Sequence, residues 1–239
     1  MNMPTDIAQH VVAAGHGCPV APLGVIGSKR DNKAFSTHHL KPDAYANLIF
    51  DMELLFKPLT IDQWDDFVSL FGERGACGGC WCMLWRLTRK QYESQKGIGN
   101  KLAMKAIVDS GEVPGMLTYH DTEAIGWCAI APRSSYSALS RSRILQPIDD
   151  RTCWSVACLF IKKSYRKKGV STELLKAASE YAKKQGAELV EGYPVEPKPD
   201  KDIPPAFAWT GIPTAFIRAG FKEVLRRSPT RPIMRKELK

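Results

Sequence analysis

Three observations predict an α/β fold, with helices flanking a sheet. Apolar runs of strand length recur at residues 52–59, 114–120, 123–131, 154–161 and 188–195, separated by stretches with a helical period. Two of these runs, 114–120 and 123–131, are joined by Asp121-Thr122 alone, which is hairpin spacing and makes the pair antiparallel. Finally, residues 153–186, CWSVACLFIKKSYRKKGVSTELLKAASEYAKKQG, place a buried strand, a basic turn with one glycine and an amphipathic helix end to end.

The elements follow in order. Residues 1–50 show no sustained period and carry Gly15, Gly17, Pro19, Pro22, Gly24 and Gly27, so they read as an N-terminal appendage to a single domain over 51–239, with Met52 an alternative start of the domain proper. After the first strand, Thr60 is placed to cap a helix running to Phe71, whose apolar side is Ile61, Trp64, Phe67, Val68 and Phe71. GERGACGGCWCMLWR then forces sharp turns. Residues 88–110 are helical with breaks at Gly97 and Gly99, and Gly111 ends them. The Ser- and Arg-rich connection 132–151 is long enough to hold a helical turn or line a site. PVEPKPDKDIPP sets five prolines in twelve residues, a rigid exposed loop. A short helix at 213–219 precedes Gly220, and 221–238 forms two strands about Ser228-Pro229.

Much of the formal charge of +9 lies at residues 162–168 and in the tail from 226, local clusters that suit an anionic ligand about as well as a polymer, and nucleic acid is kept as a rival. No run approaches the roughly 18 apolar residues of a membrane span, and a secretory signal is not seen, so a cytoplasmic protein is expected. Seven cysteines in a chain of 239 residues, three of them at 77, 80 and 82, suit reduced thiols. CxxCxC lacks a second pair. Only His120 and Cys128 stand near as fourth ligands, so no metal is expected and a structural or substrate-lining loop is preferred.

The basic turn 166–171 falls at a helix N-terminus, where free N–H groups, the helix dipole and Lys162, Lys163, Arg166, Lys167 and Lys168 together suit phosphate. LFIKKSYRKKGVSTELL, with AFIRAGF downstream, resembles the GNAT superfamily of acyl-CoA-dependent N-acetyltransferases. That resemblance implies a mixed, mostly antiparallel sheet and acetyl-CoA as co-substrate. It implies that Arg166, Lys167, Lys168, Gly169, Val170, Ser171 and Thr172 hold the diphosphate and that backbone groups of Leu159 and Ile161 hold the pantetheine arm. The acceptor would be a small-molecule or peptide amine, and a homodimer is compatible with the family. Two positions depart from its pattern. Ser171 replaces the last small residue of the turn, and Phe216 stands where many members carry a tyrosine that protonates the departing thiolate. Phenylalanine cannot donate a proton.

Glu191 and Glu196 flank Tyr193 beside the central strand and are candidate bases, the alternative for each being a solvated or structurally paired carboxylate. Tyr193 is the candidate stand-in acid, against plain packing on Pro194. Trp81, Trp85 and Arg86 form a candidate acceptor wall, with core packing the alternative for the tryptophans; Arg133, Tyr136 and Arg141 are weaker candidates. An N-acetyltransferase is the expected activity, and a non-catalytic acyl-CoA-binding regulatory module is the alternative.

Overall fold

The computed structural model describes residues 52–197 and 207–239, all within a compact unit, His38–Lys239. The proposed appendage and most of the proline loop lie outside the described residues. Among the described residues, seven strands form one sheet: β1 (Leu54–Pro58), β2 (Gly115–His120), β3 (Glu123–Pro132), β4 (Trp154–Ile161), β5 (Leu189–Gly192), β6 (Lys222–Arg226) and β7 (Pro232–Glu237). Their order is β1-β2-β3-β4-β5-β7-β6. Only β4 and β5 run parallel, so the sheet is mixed and mostly antiparallel.

The helices are α1 (Trp64–Phe71), α2 (Arg89–Ser94), α3 (Ile98–Asp109), α4 (Ser137–Ser140), α5 (Val170–Lys184) and α6 (Pro213–Arg218). Thr60 does not cap α1. Its hydroxyl bonds Gln63 Oε1 at 2.7 Å, and a 3-10 turn, Ile61–Gln63, leads in instead. The working cap is Thr88, whose Oγ1 accepts from the Gln91 amide (3.3 Å) while Gln91 Oε1 takes the Thr88 amide (3.1 Å), a capping box that starts α2. The helical stretch divides at Gly97, with φ at 86°. The strand expected over 188–195 is shorter because the chain leaves the sheet after Gly192.

Each sheet face carries its own core. On one, α5 and α6 bury Val170, Leu174, Leu175, Ala178, Ala182 and Phe216 against Val156 and Leu159. On the other, Phe67, Phe71, Trp81, Tyr136 and Leu139 pack with Trp127, Ala157 and Tyr193. Truncating a residue such as Leu174, fully buried, removes packing on the order of 2–5 kcal/mol. Among the described residues, no helix is long and apolar enough to cross a membrane.

Candidate active site

The site is built on a split in the sheet. β5 pairs with β4 only from Trp154↔Val190 to Val156↔Gly192, and residues 157–161 of β4 continue without it. The β3 register explains the divergence: Cys128 faces Leu159 and Ala129 faces Cys158, but Ile130 faces Val156, so Ala157 is an inserted residue. Such a bulge bends a strand and breaks its alternation. Accordingly Ala157 and Cys158 both lie on the α1 face, while Val156 and Leu159 lie on the α5 face.

Residues 207–211 lie in the split. The Leu159 amide donates to the Trp209 carbonyl at 2.6 Å, and the Val195 amide to the Gly211 carbonyl at 2.9 Å. Thr210, 1% exposed, accepts from Arg231 Nη1 at 2.8 Å. Gly211 has φ +82°, and a Cβ there would come within 2.8 Å of both Leu159 and Phe216, so no other residue fits without displacing them. The backbone groups expected to serve pantetheine are thus engaged within the chain. Leu159 holds Trp209, and the Ile161 carbonyl accepts from Arg166 Nε at 2.9 Å.

At the far end of β4 the chain enters the basic turn with Lys167 at φ +61° and Gly169 at φ +79°. These left-handed residues reverse the backbone onto α5. Among the described residues, the amides of Lys167, Lys168, Gly169, Val170 and Ser171 meet no acceptor, while the Thr172 amide is donated to the Gly169 carbonyl at 2.9 Å and is not free. Lys162 is paired with Glu123, which also takes the Tyr165 hydroxyl at 3.0 Å. Lys168 lies over the Tyr165 ring at 5.4 Å. Lys163 and Lys167 have no carboxylate partner among the described residues, and both are exposed.

On the opposite face, Glu191 lies at the centre of a buried cluster. It is 1% exposed. Its Oε1 accepts from Arg133 Nη1 (2.8 Å) and the Tyr193 hydroxyl (2.6 Å), and its Oε2 from Arg235 Nε (2.8 Å). Tyr193, fully buried, also contacts Ser155 Oγ at 2.9 Å and Arg133. Burial, then the Glu191 charge, pushes the Tyr193 phenol well above its ordinary pKa. Arg235 extends the chain of charges to Asp149 (2.5 and 3.0 Å), whose carboxyl it holds below the usual range. Ser155, Arg235 and Asp149 escaped the sequence analysis. Arg235 lies directly opposite Glu191 across β5–β7, a pairing legible only once the register is known. Glu196 takes no part, since it is ion-paired with Arg226 outside the cluster.

The three residues of the predicted acceptor wall separate. Trp81 is 3% exposed and stacks on Phe71 (5.6 Å), the core packing held as its alternative. Trp85 lies 5.9 Å from the Trp209 ring, beside the split. Arg86 donates to Glu112 at 2.8 Å and holds its guanidinium over the Tyr136 ring at 5.0 Å. Arg141 is exposed, with a weak 3.4 Å contact to Ser137. The cysteine loop turns inward: Cys80 Sγ donates to the Gly75 carbonyl (3.5 Å), and Cys82 accepts from Trp127 Nε1 (3.1 Å). Among the described residues, no group of three or more metal-ligating side chains gathers. Phe216 is fully buried, edge-on to Phe221 (5.1 Å), and a Cβ on Gly192 would run into its ring.

Among the described residues, a seven-stranded mixed sheet that splits after a bulged central strand, followed by an amide-rich turn onto a helix, has the architecture of the GNAT fold. Residues 81–196 match the Acetyltransferase (GNAT) family. Similar solved structures include the PaiA N-acetyltransferase of Thermoplasma acidophilum in complex with coenzyme A (16% identity, 78% of this chain and 100% of that one, TM-score 0.44). Others are a GNAT-family acetyltransferase of Streptococcus agalactiae (10%, 79% and 99%, 0.46) and the NatC complex bound to Gag peptide and CoA (11%, 79% and 100%, 0.44). Among curated proteins none matches the chain.

Proposed function

We propose that the chain is an N-acetyltransferase that moves the acetyl group of acetyl-CoA to an amine. The observation that carries this is the run of amides at 167–171, without acceptors among the described residues, at the end of β4 and at the positive end of α5. Arg166, Lys167, Lys168, Gly169, Val170 and Ser171 would hold the diphosphate. Thr172 would contribute through its place in the first turn rather than its amide. Pantetheine would run along Leu159 and Ile161 in the split, which requires the Leu159–Trp209 bond to open.

In the reaction, the amine lone pair forms a C–N bond with the thioester carbonyl carbon. The C–S bond breaks with its electrons going to sulfur, which takes up a proton, and one proton leaves nitrogen. Holding the two reactants together supplies much of the acceleration, on the order of several kcal/mol. Glu191 and Tyr193 are saturated by partners within the chain, so their role is to hold β5 against β4 and to orient Arg133. The same saturation, together with the buried Phe216, favours the second reading, a regulatory module that binds acyl-CoA without turning it over. Thiol release from acetyl-CoA across a panel of amines separates the two, once a thermal shift has shown binding. Release above background supports the enzyme, whereas binding with no release from any amine supports the module.

A further inference from the structure

Among the described residues, six buried side-chain polar atoms have no hydrogen-bond partner, and four of them belong to two neighbouring segments: Trp85 Nε1, Arg86 Nη2, Arg133 Nε and Tyr136 Oη. The segments are stitched together by the Ala138 amide on the Trp85 carbonyl (3.0 Å) and Ser137 Oγ on the Arg86 carbonyl (3.3 Å). Arg86 is 7% exposed in its side chain and Tyr136 fully buried. Leaving such groups unpaired costs roughly 1–3 kcal/mol each, more for a charged donor, so a concentration of them calls for a cause.

Their location and chemistry supply one. The Arg86 guanidinium lies over the Tyr136 ring at 5.0 Å, and Tyr136 packs in the same cluster as Cys158, the residue before Leu159 on β4. The Trp85 ring lies tilted 5.9 Å from that of Trp209, whose carbonyl occupies the Leu159 amide. The orphans therefore border the place where the acetyl group would be transferred. An indole N–H and a guanidinium N–H can only donate, and a phenol can donate. The indole and the guanidinium cannot accept from an ammonium group. They complement a group that only accepts, and Glu112, which already holds Arg86 Nη1, leaves Nη2 for it.

We infer that the acceptor amine also carries a carboxylate, as an amino acid does, and that Arg86, Trp85 and Tyr136 bind it. This deepens the acetyltransferase reading and rests on it for turnover, though not for binding.

Wild-type protein with acetyl-CoA is offered each common amino acid, the matching amino acid amide and the matching amine without the carboxyl group, and thiol release is followed. At least one acid is expected to exceed both its amide and its amine in kcat/KM by roughly ten-fold, the scale of a hydrogen bond to a charged group. Tyr136→Phe should raise KM for that acid several-fold, leave KM for the amide within about two-fold, and leave Tm equal or higher, because a purely structural orphan hydroxyl is no loss. Trp85→Phe should repeat the KM effect. Amides or amines used as well as acids would overturn the inference, as would an unchanged acid KM in Tyr136→Phe, or no acid turned over by protein that binds acetyl-CoA. If acetyl-CoA itself fails to bind, the acetyltransferase reading falls. The carboxylate site is then decided by thermal shift, with amino acids raising the Tm of the wild type and not of Tyr136→Phe supporting it and equal shifts ending it.

Discussion

The turn onto α5 and the Glu191 cluster are both polar centres hung on β4, and they are finished to opposite degrees. In the cluster, both oxygens of a buried carboxylate are taken by Arg133, Tyr193 and Arg235. At the turn, consecutive amides and two exposed lysines face outward with no partner among the described residues. A closed centre is costly to break, because a buried charge is tolerated only when it is paired. An open one leaves its donors free for water or a ligand. Titratable residues beside a central strand are therefore poor evidence of catalysis until their partners are known.

The largest expected effect breaks the closed centre. Glu191→Ala leaves Arg133 and Arg235 without their buried counter-charge and should cost about 3–5 kcal/mol by chemical denaturation; a loss below about 1 kcal/mol would mean water satisfies both guanidinium groups. Next, Gly169→Glu puts a side chain and a negative charge at a left-handed position in the turn proposed to hold the diphosphate, and coenzyme A affinity should fall at least about 100-fold by calorimetry while stability falls only by the local strain, about 1–2 kcal/mol. Unchanged affinity would show that the open centre is not the diphosphate site. Lys167→Ala, exposed and unpaired, should weaken coenzyme A roughly 3- to 10-fold and flatten its salt dependence. Thr210→Val removes the acceptor for Arg231, loosens the segment over Leu159, and should tighten coenzyme A by about two-fold; weaker binding would make that segment part of the donor site rather than its occupant.

The smallest effect concerns pH. Burial, with the Glu191 charge second, pushes the Cys153 thiol from 9.0 up to about 11. The unfolded chain then releases this proton at lower pH than the folded one, so the contribution is intact below pH 9.0 and is lost as pH rises to about 11. Denaturation midpoints at pH 8 and 11 should converge in Cys153→Ala relative to the wild type.

Much of the fold was legible because it depends on local patterning. The alternation of residues 114–131, the 3.6-residue spacing after Val170 and the glycines at 169 and 186 each specify an element without help from elsewhere, and the basic turn was legible for the same reason. The acceptor side was not. Trp81 and Trp85 are equivalent in sequence, and only packing sends the first between Phe71 and the sheet and leaves the second beside Trp209. The donor set of Arg86 and Tyr136 joins residues fifty apart and carries no spacing signal.

The sequence by itself determined the order of elements, the hairpin, the strand-turn-helix that presents free amides, and the loss of a proton donor at Phe216, because these follow from periodicity, backbone permissiveness and side-chain chemistry within a few residues. Tertiary structure alone decided that Ala157 bulges, that Trp209 holds the Leu159 amide, and that Glu191 faces Arg235 across a register. Each of those depends on which distant strand lies alongside, and a one-residue slip would have sent the same side chains to the other face.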